Sequence, residues 1–149
     1  MTVAQRFAHW EAIRRGLLAA LDKLDDQQLQ FVPREGLWSL GRTACHIAVS
    51  EYWWAYWVRG QRPPQDDRPR CEDYVTLAAL RALLARSHAL ALAALEGIPE
   101  GVLADEIETP WGARCTVEWA IWHIVEHEIH HRGEIYLMLG LLGMDAPEV

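Results

Sequence analysis

WHIVEHEIHHRGEIYLML, residues 122–139, carries four of the chain's seven histidines: His123, His127, His130 and His131. Read as a helix, the run projects His127 and His131, spaced i,i+4, from one face with Cβ atoms about 5–6 Å apart, close enough to share one divalent cation. Thr116 is placed to cap such a helix, which extends from about Val117 to Leu139 and stops at Gly140 or Gly143. The pair His123 and His127 has the same spacing, so helical geometry alone leaves two candidate pairs, both using His127. His130 lies about 100° around the helix from His131 and is expected at solvent, at a neighbouring subunit or on the rim of a site.

Working back from this helix, the pattern loosens between Glu100 and Cys115, where Gly101, Pro110 and Gly112 surround Trp111; a short irregular loop or hairpin is expected there. From Glu72 to Leu95 the chain is rich in Ala, Leu and Arg, strong helix formers, and Gly97 and Pro99 stop it. The connector QRPPQDDRPR, residues 61–70, cannot be helical, because its prolines lack amide donors and restrict the residues before them. Ser39 is an expected N-cap for a helix from about Leu40 to Val58. Val3, Phe7, Trp10, Leu17, Leu21 and Leu24 form the apolar stripe of a first helix over residues 3–24. These segments predict an all-α fold, a four-helix bundle forming one domain over residues 1–149, and bundles of this kind build metal sites between facing helices.

Composition narrows the function. With 51% apolar residues and eight tryptophans the chain can bury a core without staples. A net charge of −7 with no clustered basic stretch argues against nucleic acid and against an anionic membrane surface, and leaves small molecules as the expected partners. The opening MTVAQRFAHWEAIRR is not leader-like, and no uncharged apolar run approaches the ~20 residues of a membrane span, so a cytoplasmic protein is expected. Cys45, Cys71 and Cys115 are an odd, widely spaced set without a CxxC pair, and are read as reduced thiols.

A catalytic zinc site takes three protein ligands and keeps one position open, which sends the search to a neighbouring helix. His46 is the best placed, on a face shared with Val49, Ser50, Trp53 and Trp57; Ser50, Trp53 and Trp57 are candidates for a substrate pocket, the tryptophans alternatively core or interface aromatics. His9 and His88 are read as packing or surface histidines. The string His127-Glu128-Ile129-His130-His131 also satisfies HExxH, the zincin signature with the glutamate as general base. The longer metzincin form would need Gly at 134 and His at 137, where this chain has Glu134 and Leu137. Glu128 is the candidate catalytic residue, as a base or as a partner orienting an imidazole; its other reading is a core or interface ion pair, with Arg132 at i+4 as partner.

GLWSLGRTACHIAVSEYWW and TVEWAIWHIVEHEIHHRGEIYLMLGLLGMDAPE, taken in this order, resemble the second and last helices of the DinB/YfiT-like family of metal-binding four-helix bundles. The resemblance covers nearly the whole chain. It implies an up-down-down-up bundle, a homodimer in many members, and a divalent metal, commonly zinc or nickel, held by His46, His127 and His131. Some relatives of this kind are transferases or isomerases that use low-molecular-weight thiols such as bacillithiol or mycothiol. Glu134 stands where glutamine is common in the family.

Three neutral imidazoles leave the double charge of a divalent ion uncompensated, so a water or thiol bound to it loses its proton more readily than in bulk solvent. The expected function is that of a metal-dependent enzyme of the thiol transferase, isomerase or related hydrolase type. A non-catalytic, metal-stabilised binding or stress-response module is the alternative, and an HExxH peptidase a lesser one.

Overall fold

The computed structural model describes residues 2–109 and 111–148; Pro110, read above as part of the loop before the last helix, lies outside them. Helices dominate: α1 (Val3–Arg6), α2 (Trp10–Leu21), α3 (Leu40–Trp57), α4 (Leu77–Glu96) and α5 (Val117–Leu141), with a two-stranded hairpin, β1 (Glu106–Glu108) and β2 (Arg114–Thr116), ahead of α5. The four long helices are those expected.

Side-chain oxygens set the helix starts. Ser39 Oγ accepts from the Arg42 amide at 3.2 Å and Thr116 Oγ1 from the Trp119 amide at 3.1 Å, each satisfying a donor that the first turn leaves free. The third helix begins later than Glu72: Thr76 Oγ1 accepts from the Ala79 amide, the Leu77 amide donates to Asp26 Oδ1, and residues Cys71–Asp73 form a separate 3-10 turn. The first helix is two pieces. Trp10 donates to Phe7 O and Ala12 to His9 O, i,i−3 bonds that tighten the backbone over residues 7–9 while Val3, Phe7 and Trp10 all stay buried. The hairpin is antiparallel, pairing Ile107 with Cys115, and Gly112 closes its turn at φ +81°, a conformation that glycine adopts without a Cβ penalty.

The buried side chains form two apolar clusters. One gathers Val3, Phe7, Trp10, Ile13, Trp54, Ala91, Ile121 and Val125; the other Leu17, Leu21, Leu40, Ala48, Leu80, Leu84, Ile135 and Leu139. Every long helix also contributes a buried ionisable residue to a polar cluster: Arg14 on α2, Glu51 on α3, His88 on α4 and Glu128 on α5. Arg14 Nη2 donates to Glu51 Oε2 at 2.7 Å and to Glu128 Oε2 at 2.9 Å, and Nη1 donates to the Leu84 carbonyl at 3.3 Å. Trp10 Nε1 donates to Glu128 Oε2 at 2.6 Å, and His88 Nδ1 lies 2.6 Å from Glu51 Oε1. One guanidinium thus ties all four long helices together. Burial acts to lower the Arg14 pKa, but the facing Glu51 and Glu128 carboxylates outweigh it and hold the group above its ordinary range.

Helix α4 has the length and apolar composition of a membrane span, with a mean hydropathy of 1.3 over its most apolar window. It carries Arg81 and Arg86, and its Leu80, Leu83, Leu84 and Ala91 are buried in the bundle, as in the core helix of a folded domain.

The expectation of three reduced cysteines is overturned. Cys45 on α3 and Cys71 in the connector form a disulfide, and Cys115 is free. The physical reason is non-local: the connector folds back along α3 and brings Cα atoms 26 residues apart in sequence to 5.8 Å, a separation that a disulfide spans. In a reducing compartment the same thiols would face each other as an oxidisable pair. Closing a loop of this length stabilises a fold by about 3–4 kcal/mol on the chain-entropy scale. Full reduction is therefore expected to lower the melting temperature by on the order of 10 °C, and Cys71→Ser to mimic it. Scanning calorimetry with and without a phosphine reductant checks this; a shift within about 2 °C would mean that the bond stabilises nothing.

Candidate metal centre

Helices α3 and α5 pack side by side and bring His46 against His127 and His131. The Nε2 atoms of His46 and His127 are 3.0 Å apart, and ring centroids are 4.8 Å apart for His46 and His127, 4.8 Å for His46 and His131, and 4.5 Å for His127 and His131. One nitrogen from each of the three rings lies within 4.8 Å of the others. Nitrogens bound to a single tetrahedral zinc at about 2.0–2.1 Å are about 3.3 Å apart, so small side-chain rotations bring this set to ligand geometry.

The protonation chemistry agrees with that use. Burial, then the neighbouring His131 and Arg42, holds the His46 pKa down to about 4. Burial, then His131 and His46, holds His127 down to about 3. His131 Nδ1 lies 2.7 Å from Glu134 Oε2; donation to that carboxylate leaves Nε2 as the nitrogen with the free lone pair and fixes the ring's orientation. Glu134, at the position where the family commonly has glutamine, thus has a definite contact.

Since unfolded histidines titrate near 6.5, the unfolded metal-free chain binds more protons than the folded one between about pH 3–4 and 6.5, and stability rises with pH across that window. Acidifying the metal-free protein from about pH 7 to about pH 4.5 is therefore expected to destabilise the wild type more than a His46→Ala/His127→Ala double variant in urea unfolding. Equal pH slopes in the two proteins would show that these rings are not held neutral by the fold.

The other candidates separate clearly. His123 stacks on Trp119 at 4.9 Å and meets Trp54 edge-on at 5.1 Å, and its ring is 5.9 Å from His127, so the pair 127/131 is the one that His46 joins. His130 is exposed, with Nε2 3.4 Å from Glu134 Oε1, on the rim. His9 is exposed at the start of α2, and His88 is the core histidine already described. Glu128, the candidate general base, is 1% exposed with its carboxylate held by Trp10 and Arg14 in the core. The ion-pair reading therefore describes Glu128, with Arg14 and not Arg132 as partner, and the HExxH reading loses its base. Arg132 instead lies over the Tyr136 ring and donates to the Ile13 carbonyl.

Ser50, Trp53 and Trp57 do lie together. With Trp54, Arg68 and Trp111 they line a cleft of about 380 Å³. A second cleft of about 300 Å³ opens beside His46, between Trp38, Arg42 and Arg68, and a third of about 450 Å³ runs past His131 and Glu134 below Trp38. Trp38, which the sequence places only in the Trp-Ser start of the second-helix segment and not among the site candidates, meets His46 edge-on at 4.7 Å, stacks over His131 at 6.2 Å and carries the Arg42 guanidinium at 5.4 Å. Its one local signal is position, an aromatic directly before the N-cap of the helix that bears His46.

A sequence profile of the DinB superfamily matches residues 9–135. The chain belongs to the DinB superfamily. Solved structures similar to this DinB-like chain include a DinB-like protein from Bacillus cereus, 18% identical over 96% of this chain and 94% of that one with a TM-score of 0.79. A protein described as a four-helix bundle is 26% identical over 90% and 98%, with a TM-score of 0.69. A mycothiol-dependent maleylpyruvate isomerase is 18% identical over 91% of this chain and 61% of that one, with a TM-score of 0.65. A search of the curated proteins gives no match. What this DinB-like chain shares with all three is the fold.

Proposed function

We propose that this DinB-like chain binds one divalent cation, zinc or nickel, through His46, His127 and His131 and uses it in thiol-dependent chemistry on a small electrophile. The convergence of three imidazoles from two helices, two of them with strongly depressed pKa values, is the observation that carries the reading. The cation would supply Lewis-acid activation of a thiol or water at near-neutral pH.

The chain's own side chains do the rest. Glu134 orients His131. Trp38 packs against His46 and His131 and forms an aromatic wall at that edge of the site. The clefts on either side of Trp38 have room for a thiol on one flank and an electrophile on the other. A thiol-dependent isomerase among the structural neighbours supports this choice over plain hydrolysis. A homodimer accords with the apolar face that α5 leaves exposed, Trp122, Ile129, Leu137 and Leu141. The deciding measurement is metal per chain in protein purified without a histidine tag, with His127→Ala alongside, followed by a screen of low-molecular-weight thiols against electrophiles. Metal content without metal-dependent turnover would leave a binding module.

A further inference from the structure

Arg68 stands apart from the other arginines at the clefts. Arg42 is 3.9 Å from Glu72 and Arg70 makes a two-pronged contact with Asp73 at 3.2 Å, but Arg68 has no carboxylate within 4.0 Å among the described residues. Its guanidinium lies 4.7 Å over the Trp53 ring. It lines both the tryptophan cleft and the cleft beside His46, and so sits where the two meet.

The backbone around Arg68 is tethered on both sides. Asp67 accepts from Tyr52 at 3.5 Å and pairs with Arg86 at 3.6 Å, Pro69 is buried and restricts the residue before it, and Cys71 is bonded to Cys45. In a chain of net charge −7 this is an uncompensated, pre-positioned cation at the mouth of an aromatic cleft. A guanidinium resting on an indole keeps its edge free for two parallel hydrogen bonds, the geometry that a carboxylate accepts.

We infer that the substrate of the histidine site is a carboxylate with an apolar body, its charged end paired with Arg68 and its body lying against Trp53 and Trp57. The inference rests on the proposed metal-site reading for the chemistry but on different residues for the binding. The carboxylate selects the ligand, the tryptophans hold the apolar part, and the carbons next to the carboxylate are the ones brought to the edge of the cleft beside His46.

Titrating the full chain with 4-phenylbutyrate and its neutral isostere 4-phenylbutyramide tests it, read by tryptophan fluorescence and calorimetry in zinc-loaded and metal-free protein. The wild type is expected to prefer the carboxylate by about tenfold or more, and Arg68→Met to bring the two within about threefold with amide affinity unchanged. Arg68→Lys should restore part of the preference, and Trp53→Ala should weaken both probes. No carboxylate preference in the wild type, or one that survives in Arg68→Met, overturns the inference. A preference lost in His127→Ala but kept in Arg68→Met would place the carboxylate on the cation, which overturns the role of Arg68 while leaving the metal reading intact. A chain that binds no metal yet keeps an Arg68-dependent preference registers the opposite failure, of the metal reading alone.

Discussion

Arg14→Met is expected to cost about 3–5 kcal/mol of folding stability, because it strands two buried carboxylates without their counter-charge. Glu51 and Glu128 are 2% and 1% exposed, and both lie within 2.9 Å of the guanidinium, so no water can replace what is lost. Against a typical total of about 5–15 kcal/mol the variant approaches the unfolding threshold, and its melting point should fall by on the order of 10 °C or more. Urea unfolding monitored by far-UV dichroism measures the loss. Replacing Arg14, Glu51, Glu128 and His88 together by apolar residues of similar volume, with Trp10→Phe to remove the indole N–H that Glu128 accepts, should cost far less, since an all-apolar filling removes the desolvation penalty along with the attraction. An Arg14→Met protein within about 1 kcal/mol of wild type would mean that the cluster contributes no more than an ordinary contact.

The second large effect is on metal. His127 is one corner of a nearly equilateral triangle of rings, 4.8 Å from His46 and 4.5 Å from His131, so His127→Ala is expected to take bound zinc from near one per chain to near zero. For wild type, zinc at about one hundred times its dissociation constant should stabilise the fold by about 2.7 kcal/mol, a rise of roughly 5–10 °C, and that rise should vanish in the variant. His123→Ala serves as the control, because its ring stacks with Trp119 outside the triad and its removal should leave stoichiometry unchanged. Plasma emission spectrometry and thermal melts read both quantities. Unchanged metal content in His127→Ala would reject the ligand set.

Local signals made much of this legible from the residues. Ser39 and Thr116 cap the helices that they were expected to cap, because an N-cap is a contact across only three residues. His127 and His131 share a face because helical periodicity requires it. His46 could be chosen from its aromatic neighbours, but only the packing of α3 on α5 settles that its ring reaches theirs. What escaped depends on distant partners. Glu128 looked like a zincin base because sequence shows its histidine neighbours and not Arg14, 114 positions away. The Cys45–Cys71 bond depends on the path of a proline-rich connector that carries no helical or strand periodicity to extrapolate. The two pieces of the first helix differ from a continuous one only by i,i−3 bonding, which an unbroken apolar stripe cannot reveal.

The inward and outward duties of α3 and α5 alternate along the same backbone: Glu51 follows His46 by five residues, and Glu128 follows His127 directly. Each helix is clamped in azimuth from within, so its imidazoles inherit their aim from the interior, with Trp38 packed against them from the segment before α3. The connector is held to α3 by the Cys45–Cys71 bond, whereas the hairpin tip makes its aromatic contacts through Trp111 with Trp54 and Trp57 and is free to vary without disturbing the imidazoles. A scaffold built this way can change its exposed tips while the alignment of its imidazoles stays untouched.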